Sequence, residues 1–418
     1  MRAPRAAIVL VLWSAALFAG RAAAPEHWVG TWSTAVVPST APPPAPQFAG
    51  AAPPAASVLT FNNQTIRQIV HASVGGSRAR VVFSNVFGTS PLRIGAARIA
   101  RRDTGAAIVA GSSRALSFGG QPATTIPAGA EMFTDPVEFQ IAPFADLAID
   151  LFLPDDTSAS PRTLHSGAAQ TNYVDEAGDR TGAADFPSAR TINSWFFLER
   201  VEVVAPPATI GVVTFGDSIT DGTGSTANAN RRWPDDFARR LAASRVAVMN
   251  QGIAGNRLLS DAYTFGFGVS ALARLDRDLL AQTGATDVVV LEGINDIGMG
   301  RAGASPTADE LIAAHRQIVM RAHAHGLKAF GAPLLPFEGA AYFSAEGETK
   351  RQAVNAWIRT SGVYDGVIDF ERAVADPEQP AQLLPALQRG DHLHPNDAGY
   401  TAMANAIDLK LFTRRSGR

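Results

Sequence analysis

Four short segments carry a serine, two glycines, an asparagine and an Asp-His pair that could serve nucleophilic catalysis. Gly216-Asp217-Ser218-Ile219-Thr220-Asp221-Gly222 sets a serine between glycines. A serine hydroxyl becomes a nucleophile only when a base removes its proton, and it must stand clear of the backbone to reach a substrate. Asn250-Gln251-Gly252-Ile253-Ala254-Gly255-Asn256-Arg257 contributes Gly252 and Gly255, where the backbone can approach a ligand and aim an N–H at it. Glu292-Gly293-Ile294-Asn295-Asp296 offers Asn295, a neutral side-chain donor able to hold a developing oxyanion without competing for protons. Each of these three segments, taken alone, also reads as an ordinary turn.

The fourth segment, Asp391-His392-Leu393-His394-Pro395, supplies a base. An imidazole can take the serine proton if a carboxylate fixes its tautomer. The three-residue spacing lets Asp391 reach Nδ1 of His394 at small loop-closure cost. Asp391, His392 and His394 are also metal-ligand types, but no HExxH motif and no further carboxylate cluster accompanies them. The chain has eight histidines. His315 falls in the apolar stripe of an expected helix and reads as packed. His323 and His325 lie near that helix's C-terminus, where positive charge is favourable. His27, His71 and His165 belong to a β region, and one of them lines the cleft if two domains meet there. By elimination, His394 or His392 is the base for Ser218.

These segments need a scaffold. Continuous apolar runs at residues 210–215, 246–249, 288–291, 328–332 and 367–370 are the signature of strands buried on both faces of a parallel sheet. Helical patterns separate them. Thr307 with Glu310 forms a capping box, and Leu311, Ile312, His315, Ile318, Val319 and Ala322 follow at helical spacing. A final helix is expected at 397–411. The alternation predicts an α/β domain, and such sheets place ligands at the carboxyl ends of their strands. The serine, glycine and asparagine segments each follow one of these runs.

Upstream, residues 28–204 read as short strands between turns. Leu147, Ile149, Leu151 and Leu153 alternate as in a strand with one buried face. Residues 66–70, 80–83 and 195–204 are further strands, and a proline-rich loop spans 38–54. The sum predicts an antiparallel β-sandwich.

Composition limits the function classes. The chain has 418 residues, 46% hydrophobic and 18% charged, with 36 Lys plus Arg against 38 Asp plus Glu. That is a globular composition with no cationic excess for nucleic acid. There is no cysteine, which excludes thiol catalysis and thiolate metal sites. Arg2 and Arg5 precede an apolar run at 6–20 and the small residues Ala22, Ala23 and Ala24, the order of a secretory signal peptide. The run is shorter than the ~20 residues of a membrane span.

In chain order, Gly216-Asp217-Ser218, Ala254-Gly255-Asn256, Gly293-Ile294-Asn295-Asp296 and Asp391-His392-Leu393-His394 resemble the GDS, glycine, GxND and DxxH blocks of the SGNH/GDSL hydrolase superfamily. The resemblance covers about residues 209–412. It implies a flavodoxin-like α/β domain with a parallel sheet that hydrolyses carboxylic esters with no cofactor and no metal. Ser218 corresponds to the nucleophile, His394 to the general base and acid, and Asp391 to its orienting partner. The oxyanion hole corresponds to the N–H groups of Ser218 and Gly255 and the Asn295 side chain. Gly252 competes for the glycine role, and the Ala-Gly-Asn-Arg context favours Gly255. Ile219 stands where relatives carry leucine.

In many relatives the serine lies near the mature N-terminus, whereas about 190 residues precede it here after a cut near Ala24. The chain therefore looks like secreted members with an N-terminal β domain, some of which act on acetylated plant polysaccharides. The expected organisation is a signal peptide at 1–24 and a jelly-roll-like β-sandwich at 25–205 that binds carbohydrate or shapes the active site. The catalytic domain follows at 206–414. The expected activity is that of a periplasmic or extracellular serine esterase on small-acyl carbohydrate esters or short-chain lipid esters. Its expected partner is a small-molecule or polysaccharide ester substrate, with no nucleic acid and no stable membrane insertion after cleavage. Two alternatives are a metal-dependent hydrolase using Asp391, His392 and His394, and a non-catalytic glycan-binding protein. Acyl transfer to alcohols would use the same residues as hydrolysis.

Overall fold

A computed structural model of the chain describes residues 26–39, 59–176, 178–186, 190–262, 266–300 and 305–412. The expected signal peptide and most of the proline-rich stretch lie outside them.

Among the described residues, the C-terminal half contains five parallel strands: Ile210–Gly216, Val246–Gly252, Ala285–Leu291, Lys328–Gly331 and Gly366–Val367. In space the second lies beside the first, which is followed by the third, fourth and fifth. Val212, Val213, Phe215, Val288, Val289 and Val290 are buried because helices cover both faces. The helix Ala308–Ala324 starts at the expected capping box: Thr307 Oγ1 accepts the Glu310 N–H at 3.2 Å, and Glu310 accepts the Thr307 N–H at 2.8 Å. Several boundaries differ from expectation: the second strand runs on through Asn250 to Gly252, and the third begins at Ala285. The last strand ends at Val367, because Asp369 accepts the Arg372 N–H and starts a helix at Phe370. The C-terminal helix runs Asp397–Asn405, and Asp408 then caps a separate single turn, Leu409–Leu411.

The N-terminal half is antiparallel β. One sheet aligns Trp28–Ser33, Leu198–Val204, Gly76–Ser84 and Val137–Ile141, and the other is centred on Gln64–His71 and Asp146–Leu153. The two share one apolar core holding Val29, Val81, Val201, Ile66, Leu147 and Leu151. The strand expected at 195–204 is broken at Phe197, which takes a φ of 57°. Asp146–Leu153 is buried on both faces rather than one. On its far face Asp150 meets Arg67 at 2.7 and 2.8 Å, and the same guanidinium donates to the carbonyls of Ala106 and Ala183 under the ring of Phe186. Loops that hydrogen-bond a buried ion pair thus cover the side that alternation assigned to solvent.

The halves meet along the edge of the parallel sheet. Val246–Gly252 packs against Trp28–Ser33. Val248 N–H donates to Ser73 Oγ at 3.1 Å, and Gln251 Nε2 donates to Ser33 Oγ at 2.8 Å. An edge strand with unpaired amides is a liability, and here the β half covers it. Among the described residues, no helix is long and apolar enough to cross a membrane.

Candidate active site

The first parallel strand ends at Gly216, and Asp217 caps a one-turn helix, Ser218–Asp221, by accepting the Ile219 N–H at 2.9 Å. Ser218 is therefore the first residue of a helical turn, where an N–H has no intrahelical acceptor. Burial, with Asp296 and Asp221 nearby, pushes the Asp217 carboxyl up to about 7.

Ser218 Oγ lies 2.9 Å from His394 Nε2, and His394 Nδ1 lies 2.7 Å from Asp391 Oδ2. The other Asp391 oxygen accepts the N–H groups of Leu393 and His394 at 3.0 and 2.9 Å. Partial burial raises this carboxyl, but the His394 ring and the two backbone donors outweigh it and hold Asp391 well below the usual carboxylate range. Gln388 shapes the loop, its Oε1 accepting from the N–H groups of Gly390 and His392 at 2.9 and 3.0 Å. His392 adopts a φ of 59° and pairs through Nδ1 with Gln388 Nε2 at 3.2 Å. The structure thus joins His394, and not His392, to Ser218.

The two candidate glycines separate by geometry. Gly252 N–H is already donated to Asn250 Oδ1 at 2.9 Å, and a Cβ there would sit 2.1 Å from Asp221 N. Its small size admits the serine helix against the second strand. Gly255 has a φ of 75°, where a side chain is strained, and a Cβ would strike the Phe267 ring. Among the described residues the N–H groups of Ser218 and Gly255 have no protein acceptor. Asn295 Nδ2 donates one hydrogen to Asn256 O at 3.0 Å, while its Oδ1 accepts from Tyr342 at 3.3 Å. Those two contacts fix which way the amide faces and leave one N–H of Asn295 unspent. Asp296 accepts the N–H groups of Leu258 and Leu259 at 2.7 and 3.1 Å, tying the glycine loop to the Asn295 turn. Burial pushes this carboxyl up to about 6.

Arg274 was not anticipated from the sequence. Fully buried, it donates to Gly216 O at 2.9 Å, Gln251 O at 2.8 Å, Asn256 Oδ1 at 2.9 Å and Asp278 at 3.1 Å, with Glu292 at 3.8 Å. One guanidinium thereby gathers the ends of the three strands that present Ser218, Gly255 and Asn295. Burial first, and the neighbouring Asp217 second, push the Glu292 carboxyl well above its usual range. Arg274→Met removes four hydrogen bonds and leaves Asp278 to Arg277 alone, which donates to both of its oxygens at 2.5 and 3.0 Å. A loss of about 3–5 kcal/mol in unfolding free energy is expected, to be read by urea denaturation, and a change below about 1 kcal/mol would contradict the clamp.

Aromatic residues surround these loops: Phe337 is core and packs on Phe343. Tyr342 meets Asn295, Phe267 covers Gly255, and Phe265 lies outside the described residues. His315 is buried, with Nδ1 2.6 Å from the Tyr364 hydroxyl, and burial pushes it down to about 4. His323 pairs with Asp365 at 2.8 Å on the surface, and of the β-region histidines both His27, 2.7 Å from Thr209 O, and His165, 3.0 Å from Asp221, reach the α/β half. Among the described residues no three His, Asp or Glu side chains group as a metal site.

No curated protein sequence matches the chain. Solved structures similar to it include Est24, a carbohydrate acetylesterase from Sinorhizobium meliloti, at 15% identity and a TM-score of 0.39, covering 49% of this chain and 99% of that one. The M. smegmatis aryl esterase is similar at 15% identity and a TM-score of 0.40, with 49% and 99% covered. A GDSL-like lipase from Bacteroides thetaiotaomicron is similar at 21% identity and a TM-score of 0.34, with 49% and 87% covered. The sequence model of the GDSL-like lipase/acylhydrolase family matches residues 214–402, from within the first parallel strand to within the last helix. That match spans most of the α/β half, with Ser218 and His394 near its opposite ends, so this half of the chain is similar to the GDSL-like lipase/acylhydrolase family.

Proposed function

We propose that the chain is a secreted serine esterase that cleaves carboxylic esters through an acyl-enzyme on Ser218. The observation that carries this reading is the continuous line from Ser218 Oγ to His394 Nε2, and from His394 Nδ1 to Asp391, at 2.9 and 2.7 Å. Asp391 accepts from Nδ1–H, so Nε2 presents its lone pair to the serine hydroxyl. As Oγ bonds to the ester carbonyl carbon, its proton passes to Nε2 and the carbonyl π electrons move onto oxygen. The N–H groups of Ser218 and Gly255 and the free Asn295 N–H receive that oxyanion. When it collapses, the carbon–oxygen bond to the alcohol breaks and the alcohol leaves with the Nε2 proton. Water then repeats the sequence on the acyl-enzyme and releases the acid.

Small-acyl carbohydrate esters and short-chain lipid esters are the proposed substrates. The order of residues at 1–24 supports export. A fluorophosphonate that labels Ser218, with p-nitrophenyl esters of increasing chain length assayed beside acetylated xylan, tests the reading. Label on another residue, or activity abolished by a chelator, would overturn it. Asn295→Ala removes one oxyanion donor and is expected to lower kcat by about 10²–10³ with little change in KM. A loss below about tenfold would remove Asn295 from that role.

A further inference from the structure

His165, on the β-half strand Thr163–Ser166, is buried where the two halves meet. Its Nδ1 lies 2.7 Å from Ala35 O, and its Nε2 lies 3.0 Å from Asp221 Oδ1. A carbonyl only accepts, so Nδ1 carries a hydrogen, and the contact with Asp221 holds a second proton between ring and carboxyl. Asp221 is the last residue of the one-turn helix that begins at Ser218. Its other oxygen accepts the N–H of Ala254 at 3.2 Å, and Ala254 immediately precedes Gly255. Arg232 reinforces the junction by donating to Asp221 O at 3.0 Å and to Ala168 O of the β half.

We infer that His165 is a positioning residue of the oxyanion hole, supplied by the β half. Acting through Asp221, it holds the helix of Ser218 and the loop of Gly255 at a fixed separation. The β half is on this view part of the scaffold of the reaction centre, not a detachable binding module. Two donors on different loops hold an oxyanion only at one separation, and a displacement of about 1 Å remote from the chemistry can cost as much as 10²-fold in rate. This inference rests on the esterase reading above.

The test measures kcat per fluorophosphonate-titrated serine, so that loss of folded protein does not register as loss of turnover. His165→Ala is expected to lower that quantity by about 10- to 100-fold with KM unchanged. Asp221→Ala should do the same, and the double variant should fall no further than the worse single one, because both break one link. Asp221→Asn is the rescue. Its Oδ1 can keep the Ala254 N–H, and its Nδ2 can donate to a neutral His165 that still gives Nδ1–H to Ala35, so turnover should stay near that of the parent. If His165→Ala does not fold, the contrast between Asp221→Asn and Asp221→Ala decides alone. Unchanged turnover per titrated serine in the alanine variants, or losses that multiply in the double variant, would overturn the inference and leave the esterase reading intact. A parent protein whose Ser218 takes no label would end both.

Discussion

Ser218→Ala is expected to lower kcat toward p-nitrophenyl acetate by on the order of 10⁶ while leaving the melting temperature close to that of the parent. The change deletes one oxygen from a side chain at a helix start, and the backbone bonds that hold the turn do not involve it. What disappears is, among the described residues, the only hydroxyl hydrogen-bonded to His394, at 2.9 Å. The N–H donors remain, so a residual acceleration of about 10³–10⁴ over water is expected to survive. Initial rates on a preparation that melts normally read the effect. Near-native turnover in that preparation would remove Ser218 from the reaction.

Asp391→Asn is the second large effect, a fall in kcat on the order of 10⁴, and its direction follows from the loop. Asp391 Oδ1 accepts two backbone N–H groups, from Leu393 and His394. In the variant those donors require the amide oxygen at that position, which turns the NH₂ toward His394 Nδ1. Nδ1 must then accept, the ring proton moves to Nε2, and Nε2 can no longer take the serine proton. The loss should appear in kcat at all pH values, with the fold and KM little changed; a variant retaining a tenth of the parent rate would contradict the tautomer argument.

The same carboxyl sets the sign of the pH dependence. Asp391 is held below the usual carboxylate range, so its folded value lies beneath its unfolded one. Its ionised form therefore favours the folded state above the unfolded value, and that contribution is lost only as pH falls toward the folded value. Asp391 therefore stays ionised well into acid, and the proton transfer from Ser218 requires a free lone pair on Nε2 of His394. Activity should decline as pH is lowered. A profile flat to about pH 4 would argue against an imidazole base.

Much of the reaction centre lies in short-range pattern. A run of apolar residues declares a strand buried on both faces, a Thr307–Glu310 pair declares a helix start, and three residues suffice to bring Asp391 onto His394. Each depends on neighbours within a turn or two, where backbone geometry leaves few alternatives. The strand end at Val367 and the helix end at Asn405 were less legible, because single aspartates, Asp369 and Asp408, restart the chain by capping new turns.

By itself, then, the sequence determined the order of strands and helices and the residue types waiting at the strand ends. Packing distinguishes Gly252 from Gly255: the Asp221 backbone fills the space beside the first, whose N–H goes to Asn250, while the N–H of the second has no acceptor among the described residues. Arg274 enters only through packing, and Tyr342 and His165 find their partners there too, up to 130 positions away along the chain. The reason is physical. Periodicity and capping report the preferences of a local backbone, whereas a buried guanidinium or imidazole acquires its partners when distant segments pack, and one chain's sequence carries no mark of which distant groups will meet.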